Sequence, residues 1–336
     1  MDPSLYKETQ TSRGLTYRYY HAPARAGRPT LLLCHGFPST AHDWRRLAPR
    51  LQERGYGVVA PDMLGFGGTA KPTDPAAYVP SAMSRDLADV LDAAGIDKVV
   101  AIGHDWGAKA VSRLANWFPE RIIAAAFLAV PYISVTPPIN FEVFLEMQRK
   151  ELGFETFGYW LFYSEPDADA ILQAHLDAFV SLAWPHDPEL WRTRFAPVGA
   201  LKRSLLEDFT GPLPAYVSPA DKTAFVETFR RNGFTAPTCW YKVMTSGMSA
   251  CDDEQIPYER RLPPQSAPLF FGGAKNDYIC LAQTGYAVFG SEVFKEYSVT
   301  TKEYDADHWL ILSTADEIAR DLDAWIEGTV LKTSRL

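Results

Sequence analysis

The sequence predicts an α/β architecture, a mostly parallel central sheet with helices on both faces and an inserted helical cap. Three observations lead there. Short apolar runs alternate with amphipathic stretches as far as Pro131, the alternation then stops, and it resumes at Leu269 for two more strands. A chain of 336 residues is long enough for one such core with an inserted subdomain.

In chain order, the first strands are expected at Thr30 to Cys34, Val58 to Pro61, Val99 to Gly103 and Ile122 to Ala129. Amphipathic helices are expected between them at Trp44 to Arg54, Ser81 to Ala94 and Ala108 to Trp117, the last stopped by Phe118-Pro119 because proline cannot continue a helix. Beyond Pro131 come aromatic-rich helical segments with proline breaks at Pro137-Pro138, Pro185 to Pro188 and Pro212 to Pro214. Pro263 and Pro264 mark the return to strands at Leu269 to Gly273 and Val299 to Tyr304, and an amphipathic helix, Ala315 to Ile326, closes the pattern. Residues 1–131 and 263–336 are therefore expected to form the core, and 132–262 the cap.

The net charge of -8, with basic residues scattered rather than clustered, leaves no footprint for a phosphate backbone, so no nucleic-acid partner is expected. Cys34, Cys239, Cys251 and Cys280 stand singly, without the spacing of a zinc site or a disulfide framework, and reduced thiols in a cytoplasmic setting are expected. The longest apolar run, Ile122 to Val130, is too short to cross a bilayer, and the N-terminus lacks a secretory apolar stretch.

The strongest chemical signal is Gly103-His104-Asp105-Trp106-Gly107, directly after a strand and directly before a helix. Such a turn lifts its central side chain clear of the sheet edge, and glycines are needed where the backbone crowds. A carboxylate in that place attacks a carbon bearing a leaving group and forms an alkyl ester. The competing reading is an Asp that merely caps the helix. His35-Gly36-Phe37-Pro38, after another strand, offers the Phe37 N–H, which with the Trp106 N–H would make an oxyanion hole. His308, in the loop after the last strand, lies where the chain order of nucleophile, acid and histidine requires the base. Asp277, after the penultimate strand, is expected to orient it, with Asp305 and Asp307 left as solvated loop charges.

Together with Pro61-Asp62-Met63-Leu64-Gly65-Phe66-Gly67 and Asp307-His308-Trp309, these motifs make the chain resemble the epoxide hydrolases of the α/β-hydrolase fold, over nearly its whole length. The resemblance implies two cap tyrosines that hold and protonate the epoxide oxygen. Tyr159, in Phe157-Gly158-Tyr159-Trp160, and Tyr241, after Gly233-Phe234-Thr235-Ala236-Pro237, match those positions. Tyr163 is the rival to Tyr159, and Cys239 departs from the family's usual Asn. The expected reaction is epoxide plus water to a vicinal diol through an ester on Asp105, with no cofactor or metal. Haloalkane or haloacid dehalogenases share most of these motifs, and Trp106 could donate to a halide, but Phe37 carries no second side-chain donor. A non-catalytic ligand-binding member of the fold is the remaining alternative, and assembly into a homo-oligomer stays open.

Overall fold

The computed structural model describes residues 1–137 and 139–333, so Pro138, half of the first predicted proline break, lies outside the described residues. Its centre is an eight-stranded sheet. The strands are β1 (Tyr6–Gln10), β2 (Thr16–Ala22), β3 (Thr30–Cys34), β4 (Gly57–Pro61), β5 (Val99–His104), β6 (Ile122–Leu128), β7 (Leu269–Ala274) and β8 (Val299–Tyr304), in the spatial order β1-β2-β4-β3-β5-β6-β7-β8. From β4 to β8 every neighbouring pair is parallel. Every residue of β3, β4, β5 and β7 is buried, as expected of strands covered by helices on both faces.

The antiparallel pair β1 and β2 precedes the first strand expected from sequence and adds an edge to the sheet. β1 is polar and mostly exposed, and β2 alternates buried with less buried residues, so neither carries the continuous apolar run that marks the inner strands. The expected helix from Trp44 is split into a 3-10 turn, Ala41–Arg45, and a helix, Leu47–Glu53. The helix expected from Ala108 starts two residues earlier, at Trp106, directly behind Asp105.

Between β6 and β7 the described residues hold helices and turns but no strand, from Phe141–Leu152 to Met248–Asp253. This helical insertion lies over the C-terminal edge of the sheet. A buried ion cluster ties its end to the core: Asp253 accepts from Lys109 Nζ at 2.7 Å and from Arg113 Nε at 2.6 Å, both on the helix Trp106–Trp117. Burial lowers the Lys109 pKa to about 8, with Arg113 pushing the same way and Asp253 opposing. Among the described residues no helix is long and apolar enough to cross a membrane.

Candidate active site

β5 delivers Asp105 to the sheet edge in a conformation ordinary residues avoid, with φ 54° and ψ −126°. Holding a non-glycine residue there costs about 1–3 kcal/mol, a strain that persists only where surrounding structure enforces it. Here the enforcement is close packing. A Cβ on Gly107 would collide with the Cys34 carbonyl and one on Gly103 with Gly107, so the helix can sit tight against β3 and β5 only because both positions are glycine. The Asp105 side chain makes no cap bond to its helix, which removes the capping alternative.

The carboxylate is instead held from the first βα loop and from the far end of the chain. Phe37 N–H donates to Asp105 Oδ1 at 2.8 Å, and Gly36 must lack a Cβ because one would overlap that same oxygen. The loop is braced by His35: Met63 N–H donates to its Nε2 at 2.9 Å, so its Nδ1–H donates to the Gly36 carbonyl at 2.8 Å. Burial lowers the His35 pKa, against nearby carboxylates, and keeps that neutral tautomer. The second expected oxyanion donor, the Trp106 N–H, makes no hydrogen bond to Asp105 Oδ1 or Oδ2 among the described residues.

On the other side His308 Nε2 stands 3.5 Å from Asp105 Oδ2, while its Nδ1 is 2.6 Å from Asp277 Oδ2. Asp277 Oδ1 accepts from the Ile279 and Cys280 N–H groups at 2.9 and 2.8 Å, which fixes the carboxylate that fixes the ring. The fourth constraint is His104, whose Nε2–H donates to the His308 carbonyl at 2.8 Å. Burial and the neighbouring His308 drive the His104 pKa down to about 3, so it stays neutral. For Asp105, burial alone would raise the pKa, but His308 and the Phe37 N–H outweigh it and hold the carboxyl below its ordinary value. For His308, burial would lower the pKa, but Asp277 and Asp105 outweigh it and raise it well above 6.5.

Asp307 corrects one expectation. It is half-buried rather than a solvated loop charge, accepting from Tyr216 Oη–H of the insertion at 2.5 Å and from Trp309 N–H at 3.0 Å, and burial raises its pKa. Asp305 is exposed as expected and accepts from Asn276 at 3.1 Å.

Tyr159 and Tyr241 descend from two helices of the insertion, Tyr159–Ser164 and Cys239–Thr245, with ring centroids 5.9 Å apart. Both line a narrow cavity that Asp105, His308, Phe37 and Trp191 also line. Burial raises both phenol pKa values well above 10, so each remains an O–H donor. Tyr163 is buried beside Tyr241, at 4.6 Å between centroids, but does not line the cavity, and its hydroxyl has no hydrogen-bond partner among the described residues. Cys239 Sγ–H donates weakly to the Thr73 and Thr235 carbonyls at 3.5 and 3.4 Å, and the neighbouring Trp240 Nε1–H donates to Leu64 O at 2.9 Å, so the Tyr241 helix is anchored to the core despite the unusual cysteine.

Trp191 and Phe195 were not expected at the site. They lie on a π-helical turn, Trp191–Phe195, and pack against His308 and Tyr159 at 5.4 and 4.9 Å between centroids. Their only sequence signal is aromatic content, because a π turn has no hydrophobic periodicity to read. A larger groove lies beyond Pro38 between Trp184, Phe225 and Arg45, and Asp105 does not line it.

With this geometry in view, the chain compares with known proteins as follows. Residues 29–156 match the family described as alpha/beta hydrolase fold. The chain is 34% identical to epoxide hydrolase A of Mycobacterium tuberculosis over 91% of its own length and 92% of that protein's. It is also 34% identical to an epoxide hydrolase of Caballeronia sordidicola, there spanning 66% of each chain. The crystal structure of epoxide hydrolase A from Mycobacterium thermoresistibile superposes with a TM-score of 0.78 at 28% identity, covering 96% of this chain and 98% of that one.

Proposed function

The chain belongs to the epoxide hydrolases of the α/β-hydrolase fold, and from that premise we propose that it converts an epoxide and water to a vicinal diol through a covalent ester on Asp105. The observation that carries the mechanism is the division of labour between the two Asp105 oxygens, Oδ1 held by Phe37 N–H and Oδ2 facing His308 and the cavity. Oδ2 attacks the less hindered ring carbon while Tyr159 and Tyr241 donate to the epoxide oxygen, so the C–O bond breaks towards a hydroxyl rather than a free alkoxide.

Esterification removes the negative charge that helped to hold a proton on His308, that proton restores the phenolate left by ring opening, and the neutral ring, oriented by Asp277, becomes a competent base for water. Water adds to the ester carbonyl, and the charge develops on Oδ1, already beside the Phe37 N–H. The Trp106 N–H is the second donor we assign, reached once that carbon turns tetrahedral. Collapse releases the diol and restores the carboxylate. A dehalogenase reading lacks a second halide donor at Phe37, and the paired phenols facing Asp105 favour ring opening.

We assign the core to 1–131 and 263–336 and the cap to 132–262, a division supported by the strand-free stretch between β6 and β7. A cytoplasmic setting is supported by four cysteines that are all free thiols. The mechanism is tested by one turnover in heavy-oxygen water: the label is expected in the Asp105 side chain and absent from the first diol. Label in the diol with Asp105 unmarked would overturn it.

A further inference from the structure

The proposed reaction uses Asp277 and His308 but leaves Cys280 idle, although it sits on the same loop three residues beyond Asp277. Cys280 is a free, half-buried cysteine, and its sulfur, an Asp277 carboxylate oxygen and a His308 ring nitrogen all lie within 4.8 Å of one another. Asp277 and His308 are buried, and Cys280 is the least buried residue of the three. We propose that Cys280, His308 and Asp277 form an inhibitory site for a borderline-soft divalent cation of the Zn²⁺ type, whose occupation switches the hydrolase off.

Thiolate, imidazole and carboxylate are the donor kinds such an ion selects, at about 2.3 Å for sulfur and about 2.0–2.2 Å for nitrogen and oxygen. Donors about 2.0–2.3 Å from a tetrahedral ion stand roughly 3.3–3.7 Å apart, so the three, now within 4.8 Å of one another, need to close by only about 1 Å. A hard ion such as Mg²⁺ asks for an all-oxygen shell and has no such match here. The backbone is already shaped for the site, because the Ile279 and Cys280 N–H groups occupy Asp277 Oδ1 and leave Oδ2 facing His308.

The ion binds the thiolate and must displace the Cys280 proton, so binding releases at least one proton and tightens as pH rises. Inhibition follows whichever ring nitrogen the ion takes. On Nε2 it occupies the lone pair that would activate water. On Nδ1 it sends the ring proton to Nε2, with the same result.

The inhibitory half rests on the reaction proposed above, whereas the site itself does not, and the experiment separates them. Purified protein is dialysed against Zn²⁺ alone and read by native mass spectrometry beside epoxide turnover, for wild type, Cys280→Ser and Cys280→Ala. One tightly held Zn²⁺ per chain, loss of turnover reversed by chelator, and at least about tenfold weaker binding and inhibition in both variants are expected. Binding that persists unchanged in the variants, or none in wild type, overturns the site. Binding through Cys280 with epoxide turnover unaffected overturns the switch, and binding with no epoxide turnover at all counts against the reaction only. Co²⁺ gives a readout that needs no variant: wild-type protein is expected to show a thiolate-to-cobalt charge-transfer band, and bound Co²⁺ without it overturns the site.

Discussion

The two walls of the cavity are built by different physics. On the core side, Asp105, His308 and Asp277 sit at the ends of β5, β8 and β7, and each is held by hydrogen bonds at 2.6–2.9 Å, three of them donated by backbone N–H groups. On the insertion side, Tyr159 and Tyr241 are placed by ring packing, with centroids 4.6–5.9 Å apart, and Trp191 adds a single hydrogen bond, from its Nε1–H to the Leu182 carbonyl at 2.7 Å. Directional bonds to a rigid sheet edge keep reacting atoms within tenths of an ångström, while aromatic packing tolerates repacking at modest cost. In the proposed reaction the core wall thus supplies the nucleophile and the base, and the insertion wall supplies the proton donors and the surface with more freedom to fit a substrate.

The largest effects are expected where the core wall is cut. Asp105→Asn should abolish turnover and leave no covalent adduct, whereas His308→Ala should lower steady-state turnover by about 10⁴-fold or more and let the ester accumulate. Intact-mass measurement after mixing with an epoxide distinguishes the two, and normal turnover by the His308 variant would break the comparison at its strongest point. Asp277→Asn should act in the same direction, with the ester again trapped, since the ring loses the partner that sets its tautomer.

Smaller effects are expected on the insertion wall. Tyr159→Phe and Tyr241→Phe should each slow ring opening by about 10²-fold in pre-steady-state ester formation, and the double variant should lose nearly all of it. Tyr163→Phe is the control. Its hydroxyl is buried without a partner among the described residues, so removing it should leave ester formation unchanged and stabilise the fold by up to about 1 kcal/mol in thermal unfolding. A Tyr163 variant that slows ring opening as much as the Tyr159 variant would exchange their assigned roles.

The smallest expected effect is on stability in acid. His104 is neutral in the folded protein, with its pKa near 3, but takes up a proton near pH 6.5 when unfolded. The unfolded chain thus binds the extra proton between those values. The contribution of this group is complete above about pH 6.5 and is lost as pH falls towards 3. His104→Gln should flatten that part of the stability curve in denaturant titrations, and an unchanged slope would remove His104 as its source.

Much of this molecule follows from local sequence. The inner strands are readable because continuous apolar runs such as Thr30–Cys34 and Val99–His104 suit only a sheet covered on both faces, and the small residues around Asp105 announce a turn that larger ones could not make. Asp277 and His308 could be placed by their position after successive strands, because parallel strands deliver their C-terminal ends to one edge.

What the tertiary structure alone decided is whatever depends on packing between distant segments. β1 is polar and β2 lacks a continuous apolar run, so both are missed until β4 offers an edge, and Asp307 is half-buried beneath Tyr216, which reaches it across 91 residues. That Tyr159 and not Tyr163 lines the cavity, the place of Trp191 and the approach of Cys280 to His308 rest on the same cause. Periodicity records which side of its own element a residue occupies, but which neighbour that side meets is settled when the elements close over one another.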